Sequence, residues 1–250
     1  MDLLPNEDQQ QFAEVAGDYF ERELPAGRLR RAPADGAAEA KAAAGMGWLG
    51  VALGEAVGGA GLSVADELLI YREAGKRLVS PTVLASTLAA QLAADAGETA
   101  LAAAFVGGKA AAFAHPTGQD GAVLLIDGAG ADHAVLWTVD GLQLCEAPHG
   151  AGREPAICID ESLAAERVDL GSAKVIAQAD AFGPAAQRAR ILAAGLMVGM
   201  AQAARDMGGE YAKVREQFGK PIGAFQAIKH KCADMVVRAE SAQAQAMFAA

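Results

Sequence analysis

Two helical patterns separated by a turn dominate the last third of the chain. Residues 185–214 are good helix formers, and their apolar positions recur at helical spacing. A second run repeats at three- and four-residue steps, at Phe225, Ile228, Cys232, Met235 and Val236. Gly219, Pro221 and Gly223 lie between the two runs, and proline and glycine favour a turn. The sequence therefore predicts a helical hairpin, whose connection (residues 215–226) is called the interhelical bend below.

The first 106 residues carry a succession of helix start and stop signals. Asn6 with acidic residues directly after it predicts a helix start, and the apolar stripe of residues 12–20 runs on toward Pro25. Ser63 is predicted to cap a later helix, which Pro81 is predicted to stop. An exposed connector is expected at residues 27–36. The helix capped by Ser63 is predicted at residues 64–78, and the other helices predicted in this part are residues 37–45, 83–96 and 98–106.

From Gly107 the pattern changes to short β-favouring runs separated by Gly, Asp and Pro turns. The runs are residues 123–126, 134–139, 142–145 and 156–159. They predict a small, mostly antiparallel β domain. The expected fold class is α+β, mainly α, with a helical N-terminal domain (1–106), a small β domain (107–180) and a C-terminal helical domain (181–250).

Composition narrows the possible partners and compartment. The net charge is −10, with 31 acidic and 21 basic residues, so we expect neither nucleic acid nor an anionic membrane as a partner. Cys145, Cys158 and Cys232 lack the spacing of a metal site, and their odd number suggests reduced thiols. The start of the sequence is acidic and no apolar run reaches about 20 residues. We therefore expect a cytoplasmic protein without a metal site.

The interhelical bend carries the most suggestive polar side chains. Arg215, Gln217, Gln226 and Lys229 surround it, and Phe218 is predicted to act as an apolar plug inside it. An arginine fork beside amide donors can receive a phosphate or diphosphate. Spacing alone favours the structural alternative, in which Arg215 caps a helix end, Phe218 fills core and the glutamines are solvated.

The run Tyr-x-x-x-Arg-x-Gln-Phe-Gly-x-Pro-Ile-x-x-Phe-Gln-x-x-x-x-x-x-Ala-Asp-Met at residues 211–235 resembles the C-terminal signature of the acyl-CoA dehydrogenase family. A Gly-Trp-Leu-Gly segment followed by Glu55 and Gly-Gly-x-Gly resembles its N-terminal domain, and the α-β-α order matches along the chain. The resemblance implies that Arg215, Gln217, Phe218 and Gln226 reach across a subunit interface to the diphosphate and adenosine end of FAD.

Two stretches of the β region depart from the family pattern. The flavin-contacting loop resembles Phe113-Ala-His-Pro-Thr-Gly-Gln-Asp120, where Ala114 and His115 replace the usual Thr and Glu. His115 could serve as an acid or base, although a solvated loop histidine is the alternative. The flavin-backing Trp-Ile-Thr-Asn strand has no counterpart, and Trp137 is interpreted as a core side chain.

The catalytic base that the family uses has no counterpart either, so the catalytic residues are left unknown. The family removes a proton α to the thioester carbonyl with a glutamate. One family position for it matches Ala189, flanked by Arg188 and Arg190, none of which can accept the proton. Glu210 and Glu216 are interpreted as surface charges. Residues 239–250 still read as helix, where the family continues with further bundle helices, from the same or a companion polypeptide.

The sequence is compatible with three functions. The resemblance implies an FAD-dependent enzyme that oxidises an acyl-CoA thioester, of fatty, branched or steroid origin, and passes electrons to an electron-transfer flavoprotein. The departures favour instead a non-catalytic subunit that completes the FAD site of a heteromeric dehydrogenase. A helical interaction module unrelated to flavin is the third possibility. A homo- or hetero-oligomer is expected in the first two cases.

Overall fold

A computed structural model describes residues 4–118, 121–148 and 150–250. Its contacts divide the chain into two compact units, one of Met1–Ala26, Leu68–Leu78 and Ile191–Ala250 and the other of Gly27–Glu67 and Val79–Arg190. The α-helices are α1 (Glu7–Glu23), α2 (Gly36–Gly45), α3 (Val64–Lys76), α4 (Pro81–Asp95), α5 (Thr99–Val106), α6 (Pro184–Val214) and α7 (Gln226–Ala249). The three-domain division made from the sequence stays a prediction.

The predicted helix starts at Asn6 and Ser63 carry capping interactions. The Asn6 side chain accepts a hydrogen bond from the Gln9 backbone at 2.8 Å, and the Gln9 side chain accepts one from the Asn6 backbone at 3.1 Å. At α3, Ser63 Oγ accepts from the Asp66 backbone, and the Asp66 carboxylate accepts from the Ser63 backbone. Such reciprocal caps satisfy amide groups that a helix start leaves unpaired.

Pro81 begins a helix, contrary to the prediction that it only stops the preceding one. Ser80 is the N-cap, its side chain accepts a hydrogen bond from the Thr82 backbone, and Pro81 occupies the first turn of α4. Proline suits that position because the first amide of a helix has no intrahelical partner. The helix that follows is buried along most of its length, as its alanine-rich sequence with few polar side chains allows.

The second unit contains a sheet in the order β5-β6-β2-β1-β3-β4-β7. Its strands are β1 (Ala112–Pro116), β2 (Ala122–Ile126), β3 (His133–Thr138), β4 (Gly141–Glu146), β5 (Glu154–Ala156), β6 (Ala165–Asp169) and β7 (Val175–Asp180). Most neighbours are antiparallel, as predicted, but β1 and β3 are parallel, so the sheet is mixed. The mainly helical α+β fold class is confirmed.

Strand positions differ from the predictions in three places. The run 156–159 is not a strand beyond Ala156, because β5 ends there and Ile157 and Ile159 are fully exposed. Strands β6 and β7 were not predicted. Strand β1 covers the first half of the stretch interpreted as a flavin-contacting loop. Its backbone pairs with β2 and β3 on either side, and such pairing with distant segments is not detected from a local pattern.

A buried polar network joins the helices of the second unit to its sheet. The Asp127 carboxylate accepts hydrogen bonds from Ser80 Oγ at 2.7 Å and from the Ala164 backbone at 2.8 Å. The Asp127 carbonyl accepts one from Thr82 Oγ1 at 3.0 Å. Burial raises the pKa of the Asp127 carboxyl, against the lowering effect of these hydrogen bonds. Asp127 also adopts a φ of +48°, so the network holds a backbone conformation that is unfavourable for a non-glycine residue.

In the first unit, α3 and α6 approach so closely that their contact requires glycine on both helices. A Cβ at Gly199 would lie 1.9 Å from the Arg72 carbonyl oxygen, and one at Gly75 would lie 2.1 Å from the Leu196 carbonyl oxygen. Leu68, Val198 and Ala246 form a small apolar cluster in the same unit. This crossing anchors the half of α6 that leads into the interhelical bend.

Among the described residues, no helix is both long enough and apolar enough to cross a membrane.

Candidate functional site

The interhelical bend is a tight two-stranded hairpin followed by a short 3-10 turn. Strands β8 (Glu216–Gln217) and β9 (Lys220–Pro221) pair antiparallel, and the turn residues Phe218 and Gly219 have φ values of +52° and +74°. Positive φ at both central residues is the pattern of a type I′ turn, which matches the twist of paired strands. The Ile222 amide donates to the Arg215 carbonyl at 2.7 Å, which closes the bend between α6 and α7.

Phe218 is not the apolar plug that the sequence predicted. Its side chain is 92% exposed, at the tip of the hairpin. The ring meets Phe225 edge to face, with centroids 6.0 Å apart, and Lys220 Nζ lies 4.6 Å from the Phe225 centroid. A left-handed conformation costs a non-glycine residue about 1–2 kcal/mol. The hairpin thus holds Phe218 in an unfavourable backbone conformation and leaves its aromatic ring exposed.

The start of α7 presents an uncompensated positive helix end to the bend. Phe225 is its N-cap and makes no side-chain capping bond, and the first turn contains no acidic residue. By contrast, α1 has Glu7 and Asp8 in its first turn. Unpaired amides and the helix dipole attract anions at such an end.

The four residues proposed from the sequence lie together on this bend, and all are exposed. Arg215 directly follows α6, Gln217 is in β8, Phe218 is in the turn and Gln226 is the first residue of α7. Arg215 ends the helix with its backbone, whose amide donates to the Tyr211 carbonyl, while its side chain stays exposed. Within the described part of the chain the Arg215 guanidinium forms no ion pair. A fork of donors beside free amides and a positive helix end fits a diphosphate.

The position that matches the family's base is closed and has no proton acceptor. Ala189 has no exposed surface, and Arg190 points to solvent. The Arg188 guanidinium is held by Glu67 through two hydrogen bonds, of 2.7 and 2.6 Å, and also donates to the Gln91 side chain. Burial raises the pKa of the Glu67 carboxyl, and the charge of Arg188 opposes that rise. Arg188 and Glu67 are therefore ion-pair partners inside the protein.

The remaining candidate acids and bases are surface groups. Glu210 is exposed and accepts a hydrogen bond from Lys213, which raises the pKa of the lysine, and Glu216 is exposed in β8. His115 lies in β1, exposed and opposite Leu124. Of the stretch compared with the flavin loop, Gln119 and Asp120 lie outside the described residues.

Trp137 is half-buried within strand β3. Its ring lies 6.4 Å from that of Phe113, centroid to centroid, on the neighbouring parallel strand β1. It therefore packs against the sheet of its own unit, in line with its interpretation as a packing side chain.

One surface feature was missed by sequence reasoning. An exposed row of apolar and small side chains follows α6 at alternating three- and four-residue steps, and it is called the α6 stripe below. Its members are Met197, Met200, Ala204, Met207, Tyr211 and Val214. That spacing is typical of a seam between packed helices. The spacing of these residues was visible in the sequence. It was missed because the apolar pattern of the buried face of α6 overlaps with it.

Comparisons with protein families place similarity along most of the chain. The model of the acyl-CoA dehydrogenase N-terminal domain matches residues 6–111. The model of the acyl-CoA dehydrogenase C-terminal domain matches residues 180–250, which include the whole interhelical bend.

Individual relatives agree with these matches. The chain is 36% identical over 217 residues to acyl-CoA dehydrogenase FadE34 of Mycobacterium tuberculosis (strain ATCC 25618 / H37Rv), an alignment that covers 83% of this chain and 30% of FadE34. The chain therefore spans about a third of the length of that relative. Among solved structures, the Tcur3481-Tcur3483 steroid ACAD G363A variant is similar with a TM-score of 0.76 and 26% identity, over 97% of this chain and 78% of that one.

A structure titled PigA with FAD and proline shares the fold at 20% identity, with a TM-score of 0.74 over 99% of this chain and 79% of that one. The matches to both acyl-CoA dehydrogenase domain models support FAD as the cofactor, as the sequence resemblance implies.

Proposed function

Because this chain belongs to the acyl-CoA dehydrogenase family, we propose that it serves the FAD-dependent α,β-dehydrogenation of an acyl-CoA thioester. The observation that carries the proposal is the interhelical bend. It offers a guanidinium that forms no ion pair with the described residues, two amide side chains and an aromatic ring beside a helix N-terminus that lacks acidic residues in its first turn. This combination suits a dinucleotide, which has an anionic centre and a flat, hydrogen-bonding end.

In this proposal each residue of the bend has a separate part in holding FAD. Arg215 pairs with the diphosphate, for which its planar donor fork is suited. Gln217 and Gln226 hydrogen-bond toward the adenosine, and the exposed ring of Phe218 offers an apolar surface. The bound flavin supplies the hydride acceptor. The chain's contribution at the bend is to bind and orient the adenosine and diphosphate end.

The exposure of all four side chains supports a site that a second subunit completes. A buried dinucleotide is usually enclosed on several sides, whereas the bend is an open surface in this chain. We therefore propose that the bend acts across a subunit interface, in a homo- or hetero-oligomer. A second polypeptide would then cover the other side of the cofactor.

A second candidate function is that of a non-catalytic partner subunit in a heteromeric dehydrogenase. Removal of the α-proton requires an acceptor held against it. Ala189 provides none, and the neighbouring Arg188 is a donor already paired with the buried Glu67. Under this second proposal the bend supports FAD for an active sister chain, which contributes the base.

The α6 stripe supports assembly with another polypeptide. Met197, Met207 and Val214 are 68%, 67% and 73% exposed, although large apolar side chains in a row are normally covered. We propose that this face packs against helices within the assembled dehydrogenase.

The substrate class and electron acceptor follow from the same assignment. Similarity to a solved steroid ACAD supports a thioester derived from a steroid or branched acid, with a fatty acyl-CoA as the alternative. We propose an electron-transfer flavoprotein as the oxidant that takes electrons from the reduced flavin.

Flavin content and activity separate the candidates. The chain is purified alone and after co-expression with a sister dehydrogenase subunit, and each preparation is assayed for flavin absorbance and acyl-CoA-dependent dye reduction. Flavin and activity in the single chain support the enzyme. Flavin and activity only in the complex support the partner subunit. Absence of flavin from both preparations contradicts both proposals and favours an interaction module.

A further inference from the structure

At the start of α7, Gln226 and His230 form a side-chain pair one helical turn apart. Their Nε2 atoms are 3.1 Å apart, and both residues are exposed. With the amide nitrogen of Gln226 facing the ring, the contact is a hydrogen bond when the imidazole Nε2 accepts, that is, in the neutral tautomer protonated on Nδ1. His230 thus accepts one amide hydrogen of Gln226, and the Oε1 atom of Gln226 can accept another hydrogen bond from a ligand.

We propose that His230 is a positioning residue that fixes the Gln226 amide for the adenosine end of FAD. This inference rests on the function proposed above. A solvated glutamine side chain samples many rotamers and can present either end of its amide, and fixing it costs up to about 2 kcal/mol of side-chain entropy. The imidazole holds the amide before the ligand arrives, which reduces that cost.

Once it is oriented by His230, the Gln226 side chain suits a different part of the ligand from Arg215. An oriented Oε1 accepts from amino or hydroxyl groups, which adenosine carries and a diphosphate at neutral pH does not. Arg215 has only donors and suits the diphosphate, which has only acceptors. Gln226 and Arg215 stand at opposite ends of the interhelical bend, closed by the hydrogen bond from Ile222 to Arg215. The bend therefore offers acceptor and donor groups from two separate points.

A double-mutant cycle tests the inference in the preparation that retains flavin, whether single chain or complex. The dissociation constant of FAD is measured by flavin fluorescence for Gln226→Ala, His230→Phe and the double variant. We expect His230→Phe to weaken FAD binding about two- to tenfold, the range for loss of one ordered side chain. In the Gln226→Ala background the same change should add nothing, because the group it positions is gone.

Two further variants separate positioning from a general effect. His230→Gln restores an acceptor at the position of the imidazole Nε2 and should recover most of the affinity. Lys231→Met alters the exposed neighbour and should leave it unchanged. Additive effects of the Gln226 and His230 changes, or no effect of His230→Phe, would overturn the positioning role alone. If Gln226→Ala itself leaves FAD binding unchanged, or if neither preparation contains flavin, the proposed FAD site fails together with this inference.

Discussion

At the crossing of α3 and α6, the change in stability caused by a glycine-to-alanine substitution should differ in sign between two glycines of α6, Gly199 and Gly209. A Cβ at Gly199 would lie 1.9 Å from the Arg72 carbonyl oxygen, and ordinary contacts begin at 3.4 Å, so Gly199→Ala requires a local backbone shift of about 1.5 Å. The opposing atoms are backbone and cannot rotate away. Overpacking of this kind costs about 3 kcal/mol at the upper end, and alanine's helix propensity offsets about 1 kcal/mol.

The net loss expected for Gly199→Ala is about 2 kcal/mol. Gly209 of the same helix is the matched control, because a Cβ there meets no atom within 4 Å. Gly209→Ala should therefore gain up to about 1 kcal/mol of helix propensity. Urea denaturation followed by far-ultraviolet circular dichroism measures both variants, which have identical composition. If Gly199→Ala were as stable as the wild type, the close approach of the two helices would be wrong.

Three further changes test the buried pair, the polar network and the α6 stripe. Arg188→Met should lose about 3–5 kcal/mol of unfolding free energy, because it leaves Glu67 buried without its partner. Arg190→Met, at an exposed position, should stay within about 0.5 kcal/mol of the wild-type stability. Equal denaturation midpoints for the two variants would refute this prediction. The folded-state pKa of Asp127 lies above its ordinary value of 3.8, so the contribution of this group to stability is complete below that value and is lost as pH rises through the raised pKa. Asp127→Asn should flatten this pH dependence in denaturation midpoints measured from pH 4 to 8. A flat profile for the wild type would contradict the prediction. Met207→Glu should reduce co-purification with a sister dehydrogenase subunit because it places a charge in the α6 stripe, and undiminished recovery of the complex would exclude the stripe from the interface.

The helical parts of the fold follow largely from local sequence signals. Asn6 and Ser63 act through hydrogen bonds to residues three positions away, so their effect is readable without tertiary structure. Pro81 shows the limit of such reading. The same residue can end one helix or open the next, and the serine before it decided between them by capping α4.

The sheet was harder to predict because tertiary pairing defines its strands. Strand β6, with the sequence Ala-Glu-Arg-Val-Asp, carries three charged side chains and has little apolar signal, yet it pairs with β2 over five residues. Conversely, Ile157 and Ile159 alternate as a buried strand would, but both are exposed. Backbone pairing with distant segments determined these outcomes, and the local pattern does not report it.

The candidate site was predictable as a set of residues but not as a geometry. The signature placed Arg215, Gln217 and Gln226 on one bend, and the structure places them there. The exposure of Phe218 could not be read from the sequence, since an aromatic residue between glycine and glutamine suggests burial, whereas its positive φ depends on the hairpin that forms around it. The pairing of Arg188 with Glu67 joins residues 121 positions apart, which no local spacing indicates.

The most direct test of the account is the flavin occupancy of an Arg215→Ala variant in the preparation that retains FAD. Arg238→Ala, an exposed arginine of α7, is the control that removes the same charge away from the bend. We predict that Arg215→Ala loses most of its bound FAD on dilution, since hydrogen bonds to charged groups contribute about 1.5–3 kcal/mol, while Arg238→Ala keeps the wild-type amount. Equal FAD retention by both variants would contradict the claim that the interhelical bend binds the cofactor.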